Sequence, residues 1–286
     1  MNTIFVNTYK SLPDMLGTVY DMQSSERDTE RMSQVGTFGD FDTFNGQVVS
    51  DDLYQGYDVT TTHIEFAKGF SVERKLYDDD LFDIFQKPEG LATAAQRTRQ
   101  GHGARIFNFA FSYDQLFYTH TEGISVCNNS HTTTSGASTA SGFDNLVTTA
   151  ISGVNLSAMR LQFRGFRDDR ANRIDSMPDA LFIPIDLEDR ANEIVKTPYG
   201  LDTGNRNINV DAGRYEVIPW NYITDTNNFF MVNKALMKKF LKWYDRIKLE
   251  FHNITEFDTF IAKWNAYMRY SIIYGDWRWI IGASVS

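Results

Sequence analysis

Tyr77-Asp78-Asp79-Asp80-Leu81-Phe82-Asp83-Ile84-Phe85-Gln86-Lys87-Pro88-Glu89-Gly90-Leu91 opens the stretch on which the reading of this chain turns. Pro88 sits where a helix can begin without loss, because the first N–H groups of a helix have no partner, and Glu89 suits the positive end of the dipole. From there Leu91, Ala95, Thr98, His102, Ile106 and Phe109 recur with a period near 3.6, which predicts a helix over 88–112 with one narrow face. Its middle is polar and basic (Arg97, Arg99, Gln100, Arg105), and its end is apolar (Ile106, Phe107, Phe109, Phe111). About 24 helical residues span roughly 36 Å. A helix so long and so polar at its centre reads as a strut lying across a domain. Gly101 and Gly103 are the places where it would break.

Working back from the helix, residues 47–74 read as strands. Alternation is clearest in Val59-Thr60-Thr61-Thr62-His63-Ile64-Glu65-Phe66, with bends at Gln55-Gly56 and Lys68-Gly69. This predicts a long hairpin, polar on much of both faces, which cannot bury itself and should lie on something else. Residues 1–44 carry no strong core pattern and read as an extended or partly helical arm. A short helix can start near Leu12-Pro13-Asp14-Met15-Leu16, and Gly36, Gly39 and Gly46 mark turns.

Working forward, residues 132–142 form a Ser/Thr/Gly-rich exposed loop. Ser157 is expected to cap a helix that carries Arg160 and Arg164, with Arg167, Arg170 and Arg173 trailing it. A buried strand follows at 180–184, then a helix capped by Asp186 with Leu187, Ala191, Ile194 and Val195 inward. Beyond a polar loop at 199–213, strands are expected at 215–219 and 229–232. Asn233 then caps a helix with Leu236, Phe240, Trp243 and Tyr244 on one face, and the chain closes with strands at 247–251, 259–273 and 277–281. The class is α+β, with helices grouped between strand-rich ends and no repeat at a fixed period.

With 286 residues the chain is one large domain or two ordinary ones. Its net charge of -9 is uneven: residues 1–90 carry -10 and residues 91–286 carry +1. The acidic third is either a solvated arm or a surface that lies on another copy. Nucleic-acid reading, which wants a basic face, is disfavoured. Twenty-two Phe and 14 Tyr at a mean hydropathy of -0.38 leave many aromatic anchors for contacts between subunits. One cysteine, Cys127, excludes an internal disulfide. The start lacks a signal-peptide pattern, and no window approaches about 18 apolar residues. A reducing, aqueous compartment is expected.

Catalytic signatures are missing. None of His63, His102, His120, His131 and His252 pairs at metal-binding spacing. His120, His131 and Cys127 meet at a metal only by coincidence of fold, and Cys127 reads as a structural thiol. Asp78, Asp79 and Asp80 offer oxygens to a hard cation but read better as solvated or capping groups. No cofactor is expected, and the chain is not expected to be an enzyme.

The order of parts, together with four stretches, resembles the Hong Kong 97-type fold of tailed-phage major capsid proteins, especially the Mu-like major head subunit group. The first stretch runs from Gly69-Phe70-Ser71-Val72-Glu73 through Asp78-Asp79-Asp80 to the helix end at Ala104-Arg105-Ile106-Phe107-Asn108. The second is Glu122-Gly123-Ile124-Ser125-Val126-Cys127 with His131, similar to that group's Asp-Gly-x-x-Leu-Phe-x-x-x-His passage, with Glu for Asp and Val-Cys for Leu-Phe. The third is the strand 180–184 and the helix 187–196. The fourth is Tyr215-Glu216-Val217-Ile218-Pro219 through Phe230, then the close at 264–282 containing Asp276-Trp277-Arg278.

The resemblance implies an N-terminal arm (1–44), an extended β-hairpin loop (45–77), a peripheral domain (78–150 and 247–286) with the spine helix 88–112, and an axial domain (151–246). It implies a head protein that self-assembles into hexamers and pentamers around double-stranded DNA, bound without sequence reading, in the virion of a tailed phage, assembled in the host bacterial cytoplasm. It places subunit-interface residues on the loop (Asp51, Asp52, Tyr54, Tyr57, Phe66, Lys68), on the helix (Arg97, Arg99, Arg105) and at the capsomer centre (Asn205, Arg206). The helix arginines are expected to meet the acidic third of a neighbour. No cleaved scaffolding segment precedes the arm, so a separate scaffolding protein, or an already trimmed start, is expected, along with a portal and, where one is used, a decoration protein. Two other functions compete: an encapsulin-like shell around a cargo enzyme, and a metal-dependent hydrolase using Asp78, Asp79 and Asp80 with a histidine.

Overall fold

A computed structural model describes residues 1–52, 54–79, 84, 86–117, 120–199 and 208–286. In chain order the elements are α1 (Asn2–Ser11), α2 (Leu16–Val19), β1 (Asp21–Ser24), β2 (Thr29–Val35), β3 (Gln55–Thr62), β4 (Ile64–Glu73), α3 (Arg74–Asp78) and α4 (Gln86–Asn108). There follow β5 (Leu146–Val147), α5 (Gly153–Arg164), β6 (Ala180–Ile183), α6 (Glu188–Lys196), β7 (Glu216–Pro219) and β8 (Phe229–Val232). The last are α7 (Lys234–Phe240), β9 (Leu241–Thr255), β10 (Ile261–Tyr274) and β11 (Ile280–Ala283). The chain divides into two units: residues 1–30, 61–103 and 242–272, and residues 31–60, 104–241 and 273–286.

The first unit is built on a sheet ordered β1-β9-β10-β4. β4 runs antiparallel to β10 from Ile64↔Tyr270 to Glu73↔Ile261, and β1 runs parallel to β9 from Asp21↔Lys242 to Ser24↔Asp245. The expected hairpin within 47–74 is therefore corrected. β3 and β4 are separated by His63 alone, but β4 pairs with β10 and β3 pairs with β2. Both strands of the ribbon found their partners far away in sequence, which local alternation does not encode.

The N-terminal residues are also corrected, from coreless arm to core. Phe5, Leu16, Val19 and Tyr20 are buried, and Phe5 stacks on Phe251 with centroids 4.5 Å apart. The reason lies in α4, whose polar centre faces inward: Gln96, Arg99 and Gln100 are all buried. Buried polar groups need partners, and the N-terminal residues supply them. Gln96 Nε2 donates to Pro13 O at 3.1 Å, Gln100 Nε2 to Asp14 Oδ1 at 2.7 Å, and Tyr20 Oη to Gly103 O at 2.6 Å. The helix runs unbroken through Gly101 and Gly103, starts two residues before Pro88 and ends at Asn108. Past Asn108 it loosens into three-residue turns, Ala110 N to Phe107 O and Ser112 N to Phe109 O.

The second unit carries a sheet ordered β5-β11-β8-β6-β7. β6, β8 and β11 are buried along their whole lengths, because both faces of the sheet are covered, as expected of near-continuous apolar runs. On one face Leu181, Ile183, Phe229, Met231, Ile281 and Ala283 pack with Leu156, Met159 and Phe163 of α5 and Ala191, Ile194 and Val195 of α6. On the other, Phe107 stacks on Phe182 at 4.8 Å and meets Phe230, Trp220 and Trp279. Gly282 is required here, since a Cβ would lie 2.7 Å from both Cys127 Sγ and the Phe111 ring.

Several local expectations shift for physical reasons. Ser152, not Ser157, caps α5 by accepting from Asn155 N, and Ser157 instead donates to Asp211 Oδ2 at 2.8 Å. Asp186 lies in a 3-10 turn (Ile185–Leu187) and makes no side-chain cap to α6. Asn233 does cap α7, accepting from Leu236 N at 3.0 Å. That helix stops at Phe240, because from Leu241 the pattern switches to period two and Trp243 enters a strand paired with Met22.

Candidate assembly surfaces

The sequence-selected interface residues fall into different environments. Arg99 is buried and grips Asp245 with two hydrogen bonds, Nη1 to Oδ1 at 2.9 Å and Nη2 to Oδ2 at 3.2 Å. Its guanidinium lies 4.8 Å from the Trp243 ring centroid and 5.4 Å from that of Tyr270. Arg105 makes a second two-point pair, to Asp114 at 2.8 and 2.7 Å, and covers the Phe109 ring. Both charges are thus answered within the subunit, which corrects the expectation that they await a neighbour's acidic third. Arg97 and Lys68 are exposed, and Phe66 is half-buried against His102 and Tyr270. Asn205 and Arg206 lie outside the described residues.

Asp51, Asp52, Tyr54 and Tyr57 belong to the second unit, around the loop that joins β2 to β3. Gly39 N–H donates to Asp51 at 2.7 Å and Arg170 pairs with it at 3.0 Å, and these two together hold the carboxyl below the usual carboxylate range. Tyr54 Oη donates to Asp169, and the Arg170 guanidinium lies over the Tyr54 ring. Burial raises the Asp169 carboxyl, but hydrogen bonds from Thr37 and Tyr54 outweigh it and leave the carboxyl acidic. Tyr57 Oη and Thr132 Oγ1 are 2.5 Å apart, and Asp52 is exposed. The base of the loop is therefore clamped to residues 168–170 and 132.

Its tip is not covered. Val35, Phe38, Phe41, Phe44, Val48 and Val49 are all exposed, Phe41 completely. A second exposed apolar group caps the β9–β10 hairpin, where Ile254, Phe257 and Phe260 stand out. Phe260 has φ 54°, a left-handed conformation that costs a bulky residue about 1–3 kcal/mol. Large apolar groups left in water in this number mark surfaces completed by another molecule. Sequence reasoning missed both. The signal was phenylalanine at three-residue spacing among Gly and Asp, with no helix or strand to use it.

The residues weighed for chemistry are otherwise engaged. Cys127 is buried, which pushes its thiol far up and out of reach of thiolate chemistry. His131 stacks on Trp277 at 4.1 Å and lies 3.2 Å from Glu122. Burial pushes the Glu122 carboxyl up, but His131 and the Thr132 N–H outweigh it and hold it low. Asp78 pairs with Arg74 at 3.2 Å, and Asp80 lies outside the described residues. Among the described residues no cluster of His, Cys, Asp or Glu is arranged to hold a metal ion, and no helix is long and apolar enough to cross a membrane.

A family model described as phage capsid protein matches residues 56–283. No curated protein matches the sequence. Among solved structures, the chain is similar to the capsid of bacteriophage JBD30, decorated with minor capsid protein trimers, at TM-score 0.57 and 14% identity over 75% of this chain and 92% of that one. It is similar to the mature capsid of bacteriophage PhiM1 at TM-score 0.56 and 10% identity over 96% and 88%. It is also similar to the SrpI encapsulin of Synechococcus elongatus at TM-score 0.53 and 9% identity over 95% and 87%. At these identities the likeness shows the fold, and the fold is the Hong Kong 97-type capsid fold.

Proposed function

Because this chain belongs to the phage capsid protein family, we propose that its uncovered loop and hairpin tip are the surfaces through which copies of it close into a shell. The protein is a major capsid protein of a tailed phage, a structural component of the virion. The shell is built from many copies, and the observation that carries the surface assignment is the row Phe38, Phe41, Phe44, Val48 and Val49 standing in solvent on a clamped base. A single subunit leaves that area unburied, and a neighbour removes it from water at about 25 cal/mol per Å².

The finer reading follows the family. The subunits form hexamers and pentamers around double-stranded DNA held without sequence recognition, with a separate scaffolding protein and a portal, and assembly takes place in the host cytoplasm. In that reading the unit of residues 1–30, 61–103 and 242–272 is the peripheral domain and residues 104–241 with 273–286 are the axial domain, in place of the 78–150 with 247–286 and 151–246 expected from the sequence. The extended loop is the one between β2 and β3 instead of 45–77. Arg97 and Lys68, exposed on the first unit, are the helix and strand cations that remain available to a neighbour.

Negative-stain imaging of the purified protein tests this reading. Rings, sheets or closed shells are expected, and monomers alone under every condition would overturn it. The encapsulin likeness gives a second reading, a compartment shell holding a cargo protein. Particles purified from producing cells decide between them, because nuclease-protected DNA supports the phage head and a bound enzyme without DNA supports the compartment.

A further inference from the structure

One short peptide occurs twice in this chain. Asp40-Phe41-Asp42-Thr43-Phe44 and Glu256-Phe257-Asp258-Thr259-Phe260 share an acid followed by Phe-Asp-Thr-Phe. The two copies lie in different units and in unrelated local structures, one in the loop joining β2 to β3 and the other at the β9–β10 turn. Yet both present their rings to solvent, with exposures of 106% and 73% for Phe41 and Phe44 and of 90% and 55% for Phe257 and Phe260. At the hairpin the side chain is kept despite the backbone: Phe260 occupies a left-handed position that favours glycine or asparagine. Glu256 fixes the turn, accepting from Thr259 Oγ1 at 2.9 Å and pairing with Lys263.

A receptor of matching chemistry lies on the first unit. Between β4 and α4 runs a groove of 910 Å³ whose floor includes Phe70, Leu76 and Leu91. Its described lining carries the cations Lys68, Lys87 and Arg97 and no carboxylate, and among the described residues none of the three makes an ion pair. It continues past Leu91 and Arg97 into a hollow lined by Phe66, Leu249 and Met268, where the one carboxylate among the described lining, Glu65, lies 3.8 Å from Arg269. That size lies within the roughly 300–1,000 Å³ of pockets that hold drug-sized groups, enough for the two phenyl side chains of such a peptide. The loop residues 37–52 carry four carboxylates and no cation. An acidic peptide with two rings thus meets an apolar floor with a cationic rim.

We propose that this groove is the receptor for the acid-Phe-Asp-Thr-Phe peptides of a second copy of the chain, and that the two peptides are interchangeable ligands for it. The phenyl rings fill the floor, and the flanking carboxylates pair with Lys68, Lys87 and Arg97. This rests on the shell reading, and it specifies which surfaces meet.

The test uses labelled synthetic peptides of residues 38–46 and 254–262 with the purified full chain held unassembled at low concentration, read by fluorescence anisotropy. Both peptides should bind, each should displace the other, and affinity should fall as salt is raised. Lys87→Glu with Arg97→Glu, and separately Lys68→Glu, should weaken both peptides at least tenfold, as should Phe-to-Ala changes in either peptide. All three cations are exposed, and circular dichroism checks that the variants fold. No binding, binding without mutual displacement, or binding indifferent to charge reversal would each overturn the proposal. Imaging of the unmodified protein is scored separately: shells with no peptide binding leave the capsid reading standing and remove this one.

Discussion

Arg99 and Asp245 form a two-point ion pair inside the first unit, at 2.9 and 3.2 Å, with each side chain about a tenth exposed. Trp243 Nε1 donates to the same Asp245 oxygen at 2.9 Å, so the carboxylate is triply hydrogen-bonded. Removing one partner leaves a buried charge alone, which typically costs about 3–5 kcal/mol. Arg99→Ala and Asp245→Ala should each lower subunit stability by that amount in urea unfolding. Arg99→Met combined with Asp245→Asn, which leaves an acceptor for Trp243 and no lone charge, should recover most of it. A single-variant loss under about 1 kcal/mol would mean the pair is solvated.

The N-terminal residues should behave as core. Phe5→Ala should cost about 3–5 kcal/mol, the range for buried phenylalanine. Deleting residues 1–20 should remove the cooperative unfolding of the first unit, because Gln96 and Gln100 would lose their acceptors and Phe251 its stacking partner. A truncated chain that unfolds with an unchanged midpoint would return these residues to the status of a free arm.

Phe107 and Phe109, two residues apart, should respond oppositely to the same change. Phe107 is 1% exposed within an aromatic cluster, so Phe107→Asp should prevent the second unit from folding. Phe109 is 37% exposed under Arg105, so Phe109→Asp should change stability by less than about 1 kcal/mol. Soluble yield and circular dichroism separate the outcomes, and equal effects would show that the helix end is packed differently.

Acidification should weaken the second unit through His120. Burial holds its imidazole below the ordinary histidine value of 6.5, while Glu122 and Asp276 pull the other way, and its ring stacks on Tyr274 at 5.1 Å. A group whose folded value is depressed contributes stability above its unfolded value and loses it as pH falls toward the folded one. Stability should therefore decline below about pH 6.5, by at most about 1.4 kcal/mol per pH unit for this one proton. His120→Phe should flatten that slope in urea midpoints measured from pH 7 to 5, and an unchanged slope would assign it elsewhere.

Much of the architecture was readable in order. Ala180–Ile183, Glu216–Pro219 and Phe229–Val232 are strands where apolar runs predict them, and Asn233 caps the helix it precedes. Local chemistry suffices there, because a cap or a buried strand is specified by a few neighbouring residues. The partner of β3, the burial of residues 5–20 and the inward turn of Gln96, Arg99 and Gln100 were not readable, since each depends on residues tens to hundreds of positions away.

The stretch around Pro88 illustrates the division. Its sequence by itself determined that a long helix follows, because period, first-turn chemistry and length are local properties. Only the tertiary structure decided which side of that helix is inside. A polar centre reads as exposed until Asp245, Pro13 and Asp14 are brought within hydrogen-bonding distance, and that desolvated, satisfied pairing is what allows an arginine to occupy a core. The recurrence of Phe-Asp-Thr-Phe was likewise always present in the sequence. Its exposure at two separate tips came from the fold, which packed the surrounding residues and left those rings mostly in solvent.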